Sequence, residues 1–179
     1  MEKYAALLRG INVGGSNVIK MEELKVAFEE MKFADVRTYI ASGNVIFSSM
    51  EANKAKLTGF IEKKLLGKLK TEIRLALVSF AELKQIVEQA PKGFGKEKDR
   101  RYDVWFLMEG LASEEVLQAV KPKEGVDTMA GGQGVVYASR LISLAGRSHL
   151  IRVNKMPVYQ NITVRSWNTA QKLLGLMGN

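Results

Sequence analysis

Apolar positions along this chain follow two periods, and the switches between them mark out its elements. Tyr4–Leu8 is an unbroken apolar run of the length of a buried strand. Met21, Leu24, Ala27, Phe28 and Met31 then recur at helical spacing, which predicts an amphipathic helix over 21–32. Val36, Thr38 and Ile40 alternate with Arg37 and Tyr39 as a strand. Ser42-Gly43-Asn44 supplies turn chemistry, and Val45–Ser48 is the return strand, so 36–48 reads as a hairpin. Leu57, Phe60, Ile61, Leu65, Leu66 and Leu69 mark a long helix, and Ile73, Leu75 and Leu77 a further strand. Ser79-Phe80-Ala81-Glu82 has the spacing of a capping box and opens a helix that runs to about Ala90. The order is β-α-β-β-α-β plus a closing helix, and its first six elements match the ferredoxin-like pattern.

Lys- and Gly-rich residues 91–101 lack periodicity and read as a linker. Beyond it the order returns. Val104–Met108 is a strand, and Ser113 to Val120 is a helix with Ser113 as its N-cap. Val126–Met129 and Val135–Ala138 flank the hairpin signal Gly131-Gly132-Gln133-Gly134. Ser148 opens a short helix that Pro157 ends or kinks, Ile162 and Val164 form a strand, and Ser166-Trp167 opens the final helix. Arg140–Gly146 fits either an extra strand or a loop. Ser79-Phe80 and Ser166-Trp167 both set a cap and then an aromatic after an alternating strand. The expected fold is therefore α+β, with two tandem ferredoxin-like halves, 1–90 and 102–179, related by internal duplication and joined by 91–101.

Composition narrows the function more than it alters this outline. The 179 residues are 46% hydrophobic and 26% charged, as expected of an ordinary globular chain. No apolar run approaches the roughly 20 residues needed to span a bilayer, and the opening Met1-Glu2-Lys3-Tyr4 lacks the pattern of a signal peptide. A cytoplasmic protein without a membrane partner is expected. There is no cysteine and a single histidine, His149, so no disulfide or thiolate metal site is available, and no cofactor is implied. Ser148 and His149 are adjacent on one element and do not face each other as nucleophile and base. No catalytic motif is recognised. Net charge is +8, and no acidic residue follows Asp127, whereas Arg140, Arg147, Arg152, Lys155, Arg165 and Lys172 do. That asymmetry favours anionic partners, either a small anionic ligand or nucleic acid, unless it serves solubility alone.

The candidate ligand site starts in the loop Arg9-Gly10-Ile11-Asn12-Val13-Gly14-Gly15-Ser16-Asn17 between the first strand and its helix. Such a loop can aim backbone N–H groups at an anion. It is neither a Walker A loop nor a dinucleotide fingerprint, and its glycines can equally serve a tight reversal. In a ferredoxin-like sheet the end of strand one and the turn after strand two share an edge. Arg9, Asn12, Gly14 and Gly15 would then lie near Ser42 and Asn44, a donor set suited to phosphate or carboxylate. Arg165 and Asn168, at the start of the closing helix, are further candidates, with helix capping as their alternative. Lys92-Gly93-Phe94-Gly95 imitates an RNA-recognition motif, but the aromatic strand that should follow is missing.

Leu8-Arg9-Gly10-Ile11-Asn12-Val13-Gly14-Gly15, Tyr39-Ile40-Ala41-Ser42-Gly43-Asn44 and Thr163-Val164-Arg165-Ser166-Trp167-Asn168-Thr169 together resemble a bacterial family known as domain of unknown function 1697. Ser166 stands where that pattern has Asn. The resemblance implies a two-part α+β fold and brings no activity. The sequence leaves the oligomeric state open. It also leaves an enzyme working by positioning and electrostatics as a third reading beside the two binding functions.

Overall fold

The structure is a computed structural model that describes residues 1–12 and 18–178. It is a mixed α+β chain of two four-stranded antiparallel sheets with helices. Residues Met1–Leu83 and Leu173–Asn179 form one compact unit, and Lys84–Lys172 the other.

In the first unit, β1 (Glu2–Leu8), α1 (Met21–Glu30), β2 (Ala34–Tyr39), β3 (Asn44–Ser49), α2 (Lys54–Leu69) and β4 (Leu75–Ser79) follow in order, and α3 (Phe80–Glu88) begins directly after β4. The sheet order is β2-β3-β1-β4. Alternation within the strands places Tyr4, Ala6, Leu8, Val45, Phe47, Leu75 and Leu77 on one face. There they form a core with Leu24 and Phe28 of α1 and Leu57, Ile61 and Leu65 of α2. Ala5, Leu7, Ile46, Ala76 and Val78, on the opposite face, are also buried, which explains why β1 reads as continuous apolar sequence rather than as alternation. The expected capping box is present: the Glu82 N–H donates to Ser79 Oγ at 3.3 Å, and the Ser79 N–H donates to Glu82 Oε2 at 2.8 Å. The fourth strand starts two residues later than the alternation from Ile73 predicts. Ile73 is nevertheless buried in the core.

The second unit runs β5 (Arg100–Leu107), α4 (Ser113–Ala119), β6 (Asp127–Gly132), β7 (Val135–Leu141) and β8 (Ile162–Ser166), with α5 (Trp167–Met177) last. Its sheet order, β6-β7-β5-β8, repeats that of the first. Trp105, Val136, Ala138 and Ile162 on one face pack with Val116 and Val120. Three expectations change here. Ser113 is the first helical residue rather than the N-cap; Ala112 holds that position, and its N–H donates to the Glu115 carboxylate at 3.0 Å. Arg140 and Leu141 extend β7, which settles the first two residues of the open Arg140–Gly146 segment as strand. The helix expected from Ser148 is instead a series of 3₁₀ turns, Ala145–Arg147, Leu150–Lys155 and Pro157–Asn161. Pro157 supplies no N–H, and the Ser148 hydroxyl accepts the Leu150 N–H at 3.1 Å, so neither residue favours a continued α-ladder.

The segment that reads as a linker is packed within this unit. Phe94 lies edge-on against Tyr102, Tyr137 and Trp167, with ring centroids 4.8, 5.5 and 5.2 Å away. Gly95 (φ +85°) lies so close to the Trp167 indole that a Cβ there would come within 2.5 Å of two of its ring atoms. Trp167 is thus an interior anchor, 8% exposed.

Candidate functional site

The loop end of the first sheet is tied together by short polar contacts. At the end of β1, the Leu8 N–H donates to the Gly43 carbonyl and the Arg9 N–H to the Arg74 carbonyl, each at 2.8 Å. Arg9 therefore sits between the β2–β3 turn and the start of β4, as parallel β1 and β2 flanking β3 require.

Asn12 acts as a clamp in this loop. Its Nδ2 donates to the carbonyls of Ile19 (2.9 Å) and Ala41 (2.8 Å), while Oδ1 accepts the Ile19 N–H at 2.7 Å. Asn44, fully buried, donates from Nδ2 to the Tyr39 carbonyl (2.9 Å) and to Ser42 Oγ (3.1 Å). A carboxamide has two N–H donors, and both are engaged within the loop end in each case. Asn12 and Asn44 thus hold the loop end together.

Backbone geometry at this end is unusual. Gly10, Asn12, Ile40 and Gly43 all have positive φ, at 69°, 54°, 48° and 77°. Gly and Asn tolerate that region, but a β-branched residue there is strained by about 1–2 kcal/mol. Ile40 is also 48% exposed, so burial of its side chain does not offset the strain. Gly43 is required on steric grounds, because a Cβ would approach Ile11 Cδ1 to 2.5 Å.

Arg74 joins the site although sequence reading passed over it. Its position one residue before Leu75 makes it the cross-strand neighbour of Arg9. The ferredoxin-like order sets strand four beside strand one, but the register that brings these two residues together is not legible in it. Gly14 and Gly15 lie outside the described residues.

Arg165 and Asn168 belong to the second unit. Arg165 lies within β8, 6% exposed, and Nη1 donates to Thr163 Oγ1 and the Val164 carbonyl, both at 2.9 Å. Burial pulls its pKa down to about 10, which still leaves it charged at neutral pH. Asn168 is exposed in the first turn of α5, where Ser166 is the N-cap and accepts the Thr169 N–H at 3.2 Å. His149 is exposed, with Nδ1 3.0 Å from the Lys121 carbonyl.

Among the described residues, no helix is long and apolar enough to cross a membrane. A family model described as "Protein of unknown function (DUF1697)" matches residues 1–137, which include the Gly-rich loop and the Ser42-Gly43-Asn44 turn. The fold is similar to that of a conserved bacterial protein, SP0830, from Streptococcus pneumoniae. The TM-score is 0.86 at 27% identity, with 98% of each chain covered. No curated protein matches.

Proposed function

The chain belongs to the DUF1697 family, whose description carries no activity, and we propose that it binds a small phosphate- or carboxylate-bearing ligand at the loop end of the first sheet. The observation that carries this reading is the strained, exposed Ile40 in a turn that Asn12 clamps beside Arg9. Strain of this kind persists where the surrounding structure enforces it and concentrates at binding sites. Arg9 and Arg74 supply the charge and Ser42 a hydroxyl.

The test is thermal unfolding of the full chain with a panel of phosphorylated and carboxylated metabolites. A true ligand at ten times its Kd stabilises the protein by about 1.4 kcal/mol. Arg9→Ala should abolish that gain, and Arg74→Ala should reduce it. A panel without any stabilising compound, or a gain indifferent to Arg9, would sink the reading.

We read the two halves as ferredoxin-like repeats from a duplication, a reading supported by the shared strand order and by the matching Ser79-Phe80 and Ser166-Trp167 caps. Comparison of first and second halves across many family members would count against it if they aligned no better than shuffled sequences. A second function is favoured by one feature. Arg147, Arg152 and Lys155 are exposed along the 3₁₀ turns, in a region with no acidic residue after Asp127, which suits a nucleic-acid backbone.

A further inference from the structure

The second unit contains a cavity of about 570 Å³, lined by Arg100, Arg101, Tyr102, Arg140, Trp167 and Asn168 among others. Its size falls within the roughly 300–1,000 Å³ of small-molecule sites.

The sheet register concentrates positive charge on its wall. Arg101 of β5 and Arg140 of β7 are directly opposite each other, an arrangement of like charges that is unfavourable by itself. Asp103 offsets them only in part. Arg101 Nε donates to both its oxygens at 3.2 Å, and Arg140 Nη1 makes a longer ion pair with it at 3.8 Å. Arg100 is committed elsewhere, to Glu97 at 3.3 Å and to Ser139 Oγ at 2.9 Å. Two guanidiniums thus share one carboxylate. Among the described residues, the terminal nitrogens of Arg101 donate no hydrogen bond, and the guanidinium of Arg140 donates none. Arg101 is 56% exposed and can swing to a ligand; Arg140, at 21%, is held by the sheet.

Two further features line the same cavity, although alternation along β5 puts Tyr102 on the face opposite Arg101. Helix α5 begins there with Ser166, Trp167 and Asn168, has no acidic residue in its first turn, and starts with N–H groups that lack intrahelical acceptors. The rest of the lining is Tyr102, Trp167, Ile142, Ala145 and Gly95, together with the Glu97 carboxylate, which is paired with Arg100. The Phe94–Gly95 segment fixes the Trp167 ring in place.

We propose that this cavity is a second ligand site, separate in its residues from the loop end of the first sheet. It takes a molecule with one phosphate on a flat aromatic body, the chemistry of a nucleoside monophosphate. The phosphate sits between Arg101, Arg140 and the start of α5, where charge-assisted and forked hydrogen bonds are available. The body lies along Tyr102 and Ile142, with the Asn168 amide positioned for its polar edge.

The test is calorimetric titration of the full chain with adenosine monophosphate, adenosine and inorganic phosphate. The indole N–H resonance of Trp167 is followed in parallel, assigned against a Trp167→Phe variant. The nucleotide should bind with a Kd below about 1 mM, shift the Trp167 resonance, and bind more tightly than either part alone. Arg101→Gln should weaken it about tenfold or more, the usual scale for a lost charge-assisted bond. Arg140→Gln should do the same; because it also relieves a like-charge pair, its fold is checked by circular dichroism. Arg9→Ala should leave this binding unchanged, which separates the two sites. The proposal is overturned if the nucleotide does not bind by about 1 mM. It is equally overturned if adenosine or phosphate alone binds as tightly, or if binding is indifferent to Arg101.

Discussion

At the scale of single residues, Ile40 is the most informative position. Its φ of 48° costs energy that neither burial nor a side-chain hydrogen bond recovers. Asn tolerates the left-handed region because its short polar side chain bonds locally. Ile40→Asn should therefore stabilise the protein by about 1 kcal/mol in urea unfolding, while leaving Arg9-dependent ligand stabilisation equal or weaker. A loss of stability would mean that the Ile40 side chain has a packing role. The candidate residues divide by chemistry in a way that only contacts reveal. Arg9, Asn12, Ser42 and Asn44 look alike as polar loop residues in the sequence. Asn12 and Asn44 nevertheless use both amide N–H groups on the backbone or hydroxyl of the loop itself. The turn propensity of Asn44 was legible from its neighbours, but the Asn12 bond to Ala41 was not, because it joins segments remote in sequence.

At the scale of elements, caps were legible where a strand runs straight into a helix and obscure elsewhere. Ser79 and Ser166 both cap as expected, since a serine that accepts the N–H three residues on is a local pattern; only Ser79 has the Glu of a full capping box. Ser113 misled because the chain enters α4 from Ala112, and Glu115 alone serves the N-terminal end. The Ser79–Glu82 box should contribute about 1 kcal/mol, so Ser79→Ala should lower stability by that amount in urea. Glu82 adds a pH signature. Burial would raise its pKa, but the Lys54 ammonium at 2.7 Å and the hydrogen bonds with Ser79 outweigh burial and hold it below the ordinary carboxylate range. A depressed carboxylate stabilises the fold above its unfolded pKa of about 4.3 and loses that contribution as pH falls through the folded value. Glu82→Gln should accordingly be less stable than wild type at pH 7, with the gap closing as the solution becomes more acid than the unfolded pKa. Both partners are about 40% exposed, so salt should shrink the effect. A gap that is constant in pH would assign the loss to packing instead.

At the scale of the whole molecule, charge and strand order dominate. The absence of acidic residues after Asp127 was visible at once, and exposure of Arg147, Arg152 and Lys155 makes it a surface property. If that surface binds nucleic acid, anisotropy titration with short single-stranded RNA should give an affinity that falls about tenfold or more between 50 and 200 mM salt. No binding at the lower salt would leave the charge as a solubility feature. The sequence alone determined the α+β class, the number and order of the strands, and most helix positions, because these follow from periodicity and caps within a few residues. It also carried the family likeness, in short motifs around the Gly-rich loop and hairpin turn. Tertiary structure decided what depends on distant partners. It broke the helix expected after Ser148 into 3₁₀ turns, packed the apparent linker through Phe94, and set Arg74 beside Arg9 and Arg101 opposite Arg140. Strand register makes those pairings, and register is settled by the packing of whole sheet faces rather than by any local run of residues.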